Sequence, residues 1–143
     1  MLGVRTRAGR LTEIRYLPLG AALLQPTDSF AREVCRQLRA YFRDPDFQLN
    51  LPVESSGTDY QQRVWEAVRA IPRGSVRSYL EVAREIGSAP RAVGAACGAN
   101  RIPLLVPCHR VVASHGLGGF MHSRGGRPLE IKRWLLRHEG AVA

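Results

Sequence analysis

The sequence predicts an α/β (α+β) protein, with a small N-terminal lobe of sheet and helix and a mainly helical C-terminal lobe that carries a helix-turn-helix. Apolar residues alternate with a period of two only near the N-terminus, whereas helical spacing and helix caps recur through the rest of the chain. A segment containing Pro52, Ser55 and Ser56 separates the two patterns, as expected for a connection between lobes. The 143 residues therefore divide into two predicted lobes, 1–57 and 58–143.

The first lobe is predicted to contain a hairpin and one helix. Alternating residues at 12–16 indicate a strand, and the Ala-Gly-Arg run at 8–10 is typical of a turn before it. Asp28 is placed to cap a helix that Asp44-Pro45 ends, and Cys35 lies beside the apolar stripe of that helix. The stripe consists of Phe30, Val34, Leu38, Tyr41 and Phe42.

The second lobe is predicted to begin with two capped helices. Capping boxes occur at 58–61 and 78–81; Pro72-Arg73-Gly74 ends the first helix and Gly87 ends the second. Ser88 and Pro90 are expected to start a third helix at 91–98, because Ser caps helices well and Pro is tolerated in the first turn. Two short helices joined by a tight turn with glycine are typical of a helix-turn-helix, although short helix pairs also occur as plain packing units.

The third helix of this lobe consists almost entirely of small residues from Ala92 to Ala99. Glycine inside a helix costs roughly 0.5–1 kcal/mol relative to alanine, so Gly94 and Gly98 need a reason. Close approach to another backbone would supply one. The sequence leaves open whether that neighbour is a packed helix or a nucleic-acid groove.

The last part of the chain is predicted to be an apolar strand, a flexible loop and a terminal helix. The strand-like segment 103–112 is interrupted by two prolines and carries Cys, His and Arg in its middle. A glycine-rich loop follows. Pro128 is expected to open the last helix and Gly140 to end it.

The charge balance favours a polyanionic partner. There are 21 Lys and Arg residues against 12 Asp and Glu residues, a net charge of +9. Residues 86–129 contain no acidic side chain but include five arginines. Because 20 of the 21 basic residues are Arg, the excess could also reflect genome composition, with the charges lying on a solvated face.

The three cysteines indicate reduced thiols and a cytoplasmic protein. Cys35, Cys97 and Cys108 are odd in number and form no CxxC pair, which argues against a disulfide framework or a structural zinc site. No signal peptide or membrane-spanning segment is evident.

Cys108 is the candidate nucleophile. A thiol reacts as thiolate, so it needs a base or a positive neighbour, and His109 and Arg110 follow directly. In an extended chain adjacent side chains point to opposite faces, so Cys108 and His109 cooperate only if the backbone turns there or a water connects them. Glu139 is a candidate to orient the histidine. From spacing alone, His109 could equally be a structural residue and Glu139 a solvated helix-end charge.

The segment PCHRVV at 107–112 resembles the active-site signature of the O6-alkylguanine-DNA alkyltransferases, also called methylated-DNA–protein-cysteine methyltransferases. The resemblance extends in order over most of the chain from about Gln37 onward. The other matching segments are Gln37-Leu38 with Tyr41-Phe42, Gly57-Thr58 with Gln61 and Val64-Trp65, Ile71-Pro72 with Gly74, Ser78-Tyr79, Arg91-Ala92-Val93-Gly94, Asn100, Lys132 with Trp134-Leu135-Leu136, and His138-Glu139-Gly140.

This resemblance implies that the partner is double-stranded DNA carrying O6-alkylguanine. Family members place the helix-turn-helix in the minor groove, rotate the damaged guanine out of the stack and insert an arginine, which corresponds to Arg91. The small residues Ala92, Gly94 and Ala95 would let the helix approach the DNA backbone. A monomer is expected, located in the cytoplasm and, in a bacterium, on the nucleoid.

The resemblance also implies the chemistry. Cys108 would attack the alkyl carbon as thiolate, with His109 acting as base through a water and Glu139 orienting it. Tyr79 would donate a proton or hydrogen bond to the departing guanine, and Asn100 would hold the turn that carries the active-site strand.

Substrate recognition is implied at three positions. The backbone carbonyls of Cys108 and Val111 would read the guanine amino group, and Phe120 would contribute to substrate binding. Family members often carry a pocket-lining serine. Here the loop between Phe120 and Lys132 is longer, and Ser123 is one candidate for that role.

The resemblance implies a single transfer per molecule, with no cofactor and no metal. The N-terminal lobe would be ribonuclease-H-like, shortened at its start and lacking the zinc ligands of some relatives. Two other functions remain open at this point: a module that senses alkylated bases without efficient transfer, and a Cys-His hydrolase, which would require turnover and an oxyanion hole.

Overall fold

The computed structural model describes residues 2–18, 20–121 and 125–141, which divide into two compact units, 1–56 and 57–143. Both units combine helices with short strands, and the predicted mixed α/β class is confirmed. The likeness of the first unit to ribonuclease H stays a prediction. Within the described residues, no helix is long and apolar enough to cross a membrane.

The first unit consists of an antiparallel hairpin and one helix. Strands β1 (Leu2–Arg7) and β2 (Arg10–Tyr16) pair with Leu2 opposite Tyr16, and helix α1 covers Ser29–Arg43. The carboxylate of Asp28 accepts a hydrogen bond from the Ala31 amide and caps α1 as predicted. The core of this unit is formed by Leu11, Ile14, Val34, Leu38, Tyr41 and Leu51.

Three helices and a pair of very short strands form the framework of the second unit. Helices α2 (Asp59–Arg69) and α3 (Tyr79–Ile86) both start with complete capping boxes, at Thr58 and Ser78. Helix α4 (Pro90–Gly98) follows α3 across a turn in which Gly87 has a left-handed φ of 68°. The side chains of these elements bury a common core. Its members include Val64, Trp65, Val68, Ile71, Val82, Val93, Ala96, Val106 and Val111.

The predicted cap of α4 was wrong. The N-cap residue is Ala89, which makes no side-chain capping bond, and Pro90 occupies the first turn. The hydroxyl of Ser88 instead lies 2.7 Å from the hydroxyl of Tyr60 on α2. The side chain that the sequence predicted to cap α4 therefore forms a hydrogen bond with another helix instead.

The strand predicted at 103–112 is also largely wrong. Only Val111–Val112 (β4) forms a strand, and it pairs in parallel with β3 (Arg77–Ser78) at the entrance to α3. Residues 108–110 form a short 3-10 turn instead. Pro103 and Pro107 lack amide donors, which limits how far a ladder can extend through this segment.

The terminal helix α5 covers Gly126–His138, so it begins two residues before the predicted Pro128, which lies in its first turn. It ends in a Schellman motif. The amide of Gly140, whose φ is 76°, donates to Arg137, and the amide of Ala141 donates to Leu136. Glu139 is the C-cap residue of this helix and points into the interior.

Candidate active site and DNA-binding surface

The 3-10 turn places Cys108 and His109 together at the edge of the core. Both side chains are buried, with 4% and 1% of their surfaces exposed. Successive side chains in a 3-10 helix are about 120° apart rather than opposed. The side chains of Cys108 and His109 therefore do not point to opposite faces, as they would in an extended strand.

His109 is held by a buried network of charged groups. Its Nε2 lies 2.9 Å from Oε1 of Glu139, and the guanidinium of Arg110 binds both carboxylate oxygens of Glu139 at 2.9 Å. Arg110 also donates to the Ile71 carbonyl, and Arg73 donates to the backbone carbonyl of Glu139. A bidentate arginine keeps the carboxylate ionised, so the acid that closes α5 is a paired interior charge and not a solvated one.

This network sets the tautomer of His109. An ionised carboxylate only accepts hydrogen bonds, so the proton of a neutral imidazole belongs on Nε2, and the lone pair is on Nδ1. Burial lowers the pKa of His109 below its ordinary value of 6.5, although Glu139 acts in the opposite direction. The imidazole is therefore neutral at physiological pH and can accept a proton.

The surroundings of Cys108 favour its neutral thiol. The thiol of Cys97 on α4 and burial raise the pKa of Cys108 well above its usual range. Asn100 and Lys132 act in the opposite direction, because both stabilise the thiolate. In the free protein Cys108 is therefore protonated and needs a base in order to react.

Asn100, predicted to hold the turn, hydrogen-bonds the backbone that leads to Cys108. Its side-chain amide donates to the Val106 carbonyl at 2.8 Å, and its Oδ1 accepts from the Ile102 amide at 2.9 Å. The Val106 carbonyl also accepts from the amide of Cys108 at 2.8 Å. One side chain therefore connects the end of α4 to the backbone that presents the nucleophile.

Lys132 is a buried charged residue for which the sequence predicted no role. It is fully buried on α5, and its ammonium donates to the carbonyls of Val111 at 2.6 Å and Gly119 at 2.9 Å. Burial lowers its pKa to about 8. The sequence contained one signal for it, because Lys132 is the single lysine in a chain with 20 arginines. A compact ammonium fits this carbonyl cage where a planar guanidinium would not.

Two residues predicted to act on the substrate, Tyr79 and Phe120, lie beside the Gly119 carbonyl that accepts from Lys132. The hydroxyl of Tyr79 donates to the Gly119 carbonyl at 3.1 Å, and Lys132 lies 5.7 Å from the centre of the Tyr79 ring. Phe120 is buried next to Gly119 in the chain. Gly118 has a positive φ of 72°, and a Cβ there would lie 2.8 Å from the Tyr79 ring, so the loop needs glycine to pack against the tyrosine. The candidate Ser123 lies outside the described residues.

The residues predicted to bind DNA lie together on α4. Arg91 and Ala95 are exposed, and Ala92 and Gly94 are partly exposed. A Cβ added at Gly94 would meet only the Tyr79 ring, at 3.9 Å, an ordinary contact distance. Packing among the described residues therefore does not require glycine at this position.

Comparisons with known proteins agree with this arrangement. Residues 59–141 match the family model described as "6-O-methylguanine DNA methyltransferase, DNA binding domain". A methylated-DNA–protein-cysteine methyltransferase from Methanosarcina acetivorans is 41% identical over 117 residues, covering 80% of this chain and 72% of the relative.

Solved structures give the same result over nearly the whole chain. The O6-methylguanine methyltransferase of Mycobacterium tuberculosis superposes with a TM-score of 0.82 at 37% identity, covering 99% of this chain and 87% of that one. The structure of the M. tuberculosis protein in complex with DNA superposes with a TM-score of 0.79 at 36% identity, covering 98% and 86%. The chain belongs to the family of the methylated-DNA–protein-cysteine methyltransferases.

Proposed function

We propose that this protein repairs DNA by moving an alkyl group from O6 of guanine to the sulfur of Cys108. The observation that carries the proposal is the buried chain of contacts from Arg110 through Glu139 to His109, which ends beside Cys108 in one tight turn. The chain's membership of a family of DNA methyltransferases supports the same assignment.

The transfer step follows from the protonation states in the site. His109 accepts the Cys108 proton on Nδ1 through a water, and Glu139 stabilises the imidazolium that results. The thiolate then attacks the alkyl carbon, a sulfur–carbon bond forms and the carbon–O6 bond breaks. The electron pair leaves with guanine. As negative charge develops on the purine, the Tyr79 hydroxyl donates to it in place of the Gly119 carbonyl.

The site also stabilises the thiolate once it forms. Asn100 and the Lys132 ammonium both lower the pKa of Cys108, against the effects of Cys97 and burial. The reactive form is the Cys108 thiolate, although the thiol is protonated in the free protein. Nucleophilic attack draws that form from the equilibrium, so a high pKa in the free protein does not prevent reaction.

Two backbone carbonyls would read the guanine amino group. The Val111 carbonyl accepts from Lys132, and the Cys108 carbonyl accepts from the amide of Val111. Each carbonyl oxygen has two lone pairs, so each retains one for a base donor. Phe120 supplies an apolar wall beside them.

The product is a thioether, which has no easy route back to a thiol. With substrate in excess, we therefore expect methyl transfer to stop at one group per protein chain. The measurement is the amount of methyl on protein and on DNA at several substrate ratios. Steady release of product beyond one equivalent would favour a Cys-His hydrolase and contradict the proposal.

The second unit carries most of the net positive charge of the chain. Within it, the helix pair α3 and α4 holds the DNA. The α4 helix enters a groove with its small residues against the sugar-phosphate backbone, and the alkylated guanine rotates into the site. Unstacking costs a few kcal/mol and is cheapest for a damaged, poorly paired base, which contributes to selectivity.

Arg91 is expected to occupy the space that the rotated guanine leaves. Its position in the first turn of α4, with an exposed side chain, suits this role. Arg91→Ala should slow single-turnover methyl transfer by roughly tenfold or more, while binding to undamaged duplex weakens by about 1 kcal/mol, the cost of one charged contact. The measurements are transfer kinetics and fluorescence anisotropy. If the transfer rate and the binding of undamaged duplex fell by the same factor, Arg91 would be an ordinary phosphate contact.

Gly94 provides a test of how closely α4 approaches DNA. Gly94→Ala should stabilise the fold by up to about 0.5–1 kcal/mol, because alanine is the better helix former and has room here. The same methyl group should weaken DNA binding. The free energy of unfolding of the same variant, measured without DNA, separates the effect on helix stability from the effect on DNA binding. If Gly94→Ala bound DNA as well as the unmodified protein, a close backbone approach at this position would be excluded.

A further inference from the structure

Helix α2 carries three side chains whose polar groups bond to the helix pair α3 and α4 and to the turn between them. They are Tyr60, Arg63 and Trp65, and none of them takes part in the transfer step proposed above. Helix α2 packs against both helices of the pair, and residues of all three helices share one core. The contacts of these side chains therefore bear on how α3 and α4 are held relative to each other.

Arg63 supplies a donor that the end of α3 lacks. In a continuous helix the carbonyl of Ile86 would accept from the amide four residues later, but that residue is Pro90, which has no amide hydrogen. The guanidinium of Arg63 donates to this carbonyl instead. A positive charge at the C-terminal end of a helix also interacts favourably with the helix dipole. One side chain of α2 thus completes the hydrogen bonding of α3 where the turn begins.

Trp65 does the same at the end of α4. The carbonyl of Ala96 lies in the last turn of this helix, and the amide four residues later, that of Asn100, donates to the carbonyl of Cys97. The indole Nε1–H of Trp65 donates to the Ala96 carbonyl at 2.9 Å, in a buried position. Leaving a buried carbonyl without a donor costs stability, so this bond favours one placement of α4 against α2.

Tyr60 restrains the turn between the two helices. Its hydroxyl lies 2.7 Å from the hydroxyl of Ser88, which follows Gly87 in the turn. The left-handed φ of 68° at Gly87 is a conformation that glycine adopts without strain, and the bond from Tyr60 holds the next residue from outside the pair. Helix α2 therefore makes one polar contact with each part of the pair: the end of α3, the turn and the end of α4.

We propose that Tyr60, Arg63 and Trp65 are positioning residues for DNA binding, which hold α3 and α4 at the angle in which α4 meets the duplex. This inference rests on the proposed function, because it requires that α3 and α4 hold the DNA. When one of these bonds is lost, the pair spends part of its time at other angles, and the apparent Kd rises as the competent fraction falls. Loss of one hydrogen bond changes such a population by roughly twofold to tenfold.

The test measures DNA binding and two kinds of methyl transfer in Tyr60→Phe, Arg63→Met and the double variant. Tyr60→Phe removes only a hydroxyl, and Arg63→Met keeps an unbranched side chain without its donors. We expect each single variant to weaken binding of an undamaged duplex by roughly twofold to tenfold in fluorescence anisotropy, and the double variant to weaken it further. Transfer from a subsaturating methylated duplex should slow by the same factor. Transfer from the free nucleoside O6-methyldeoxyguanosine, which does not use the helix pair, should keep its rate.

Matched variants separate positioning from the loss of charge. Arg69→Met removes the same charge from the last turn of α2, where the side chain is exposed, and should bind the duplex within about twofold of the unmodified protein. Arg63→Lys keeps a charged donor and should recover most of the binding. Trp65→Phe removes a buried, uncharged donor and should also weaken duplex binding, which a lost phosphate contact cannot explain. Urea unfolding establishes the folded fraction of every variant.

Two results would overturn the proposal. One is duplex binding by the double variant that is as tight as that of the unmodified protein. The other is an equal loss of transfer from the nucleoside and from the duplex, which would mean that these side chains support the whole unit and not the DNA-binding surface. Failure of the proposed transfer function looks different, because the unmodified protein would then accept no methyl group from either substrate, while the comparison of duplex binding would still test the positioning role.

Discussion

Cys108→Ser is expected to abolish methyl transfer and to leave DNA binding largely unchanged. A serine hydroxyl has nearly the shape of the thiol, but it is a far weaker nucleophile without a strong base, and His109 acts here only through a water. The stability change should be within about 1 kcal/mol, because the substitution keeps the volume of the buried site. Single-turnover transfer and anisotropy with methylated duplex measure the two effects.

The comparison with Cys97→Ser makes this prediction specific. Both substitutions remove one cysteine sulfur from the second unit, but only Cys108 should accept the alkyl group. Residual transfer in Cys108→Ser, with the methyl group mapped to Cys97, would mean that the nucleophile has been assigned to the wrong thiol. Loss of DNA binding with Cys108→Ser would mean that the sulfur serves the DNA-binding surface and not the chemistry.

Glu139→Gln should lower the free energy of unfolding more than any other substitution proposed for this protein, and it should also slow methyl transfer strongly. The amide keeps the size of the side chain but leaves the guanidinium of Arg110 without its buried carboxylate. Breaking a buried pair in this way typically costs about 3–5 kcal/mol. Transfer should slow by roughly a hundredfold in the molecules that remain folded, because a neutral amide no longer stabilises the imidazolium that forms when His109 takes the proton.

Urea unfolding and single-turnover kinetics at a verified folded fraction measure the two consequences of Glu139→Gln. Glu130→Gln is the matched control, since Glu130 lies on the same helix and is exposed. It should change stability by no more than about 0.5 kcal/mol and leave the rate unchanged. Similar effects from both variants would indicate that the network around Glu139 is ordinary surface electrostatics.

The parts of the fold that sequence predicted well are those governed by local chemistry. Asp28, Thr58 and Ser78 each satisfy amides of the helix that follows, within three residues along the chain. Such contacts are visible in the sequence because both partners are neighbours in it. The hairpin follows from the same kind of signal, an alternating strand next to a turn.

The wrong predictions concern residues whose bonding partners lie far away in the sequence. Ser88 has good capping chemistry, but its hydroxyl lies against Tyr60, 28 residues earlier. The 103–112 segment has the composition of a strand, yet its strand part, Val111–Val112, is set by pairing with Arg77–Ser78, which lies 34 residues earlier in the chain. Local propensity cannot report such competition.

The candidate site divides in the same way. The contact between His109 and Glu139 was expected, and the structure supplies the turn that the expectation required. The cage of carbonyls around Lys132 was not expected. It is formed by the backbone of Val111 and Gly119, which meet the Lys132 ammonium only in the folded unit, so no spacing in the sequence encodes it.

The most direct test of the central assignment is intact-mass spectrometry of the protein after reaction with a duplex containing one O6-methylguanine. The account predicts a gain of one methyl group in place of one hydrogen, saturating at one per chain and mapped to Cys108 in the tryptic peptide 102–110. An unmodified protein that still binds the damaged duplex would contradict it, and would identify a module that senses alkylated bases without removing the alkyl group.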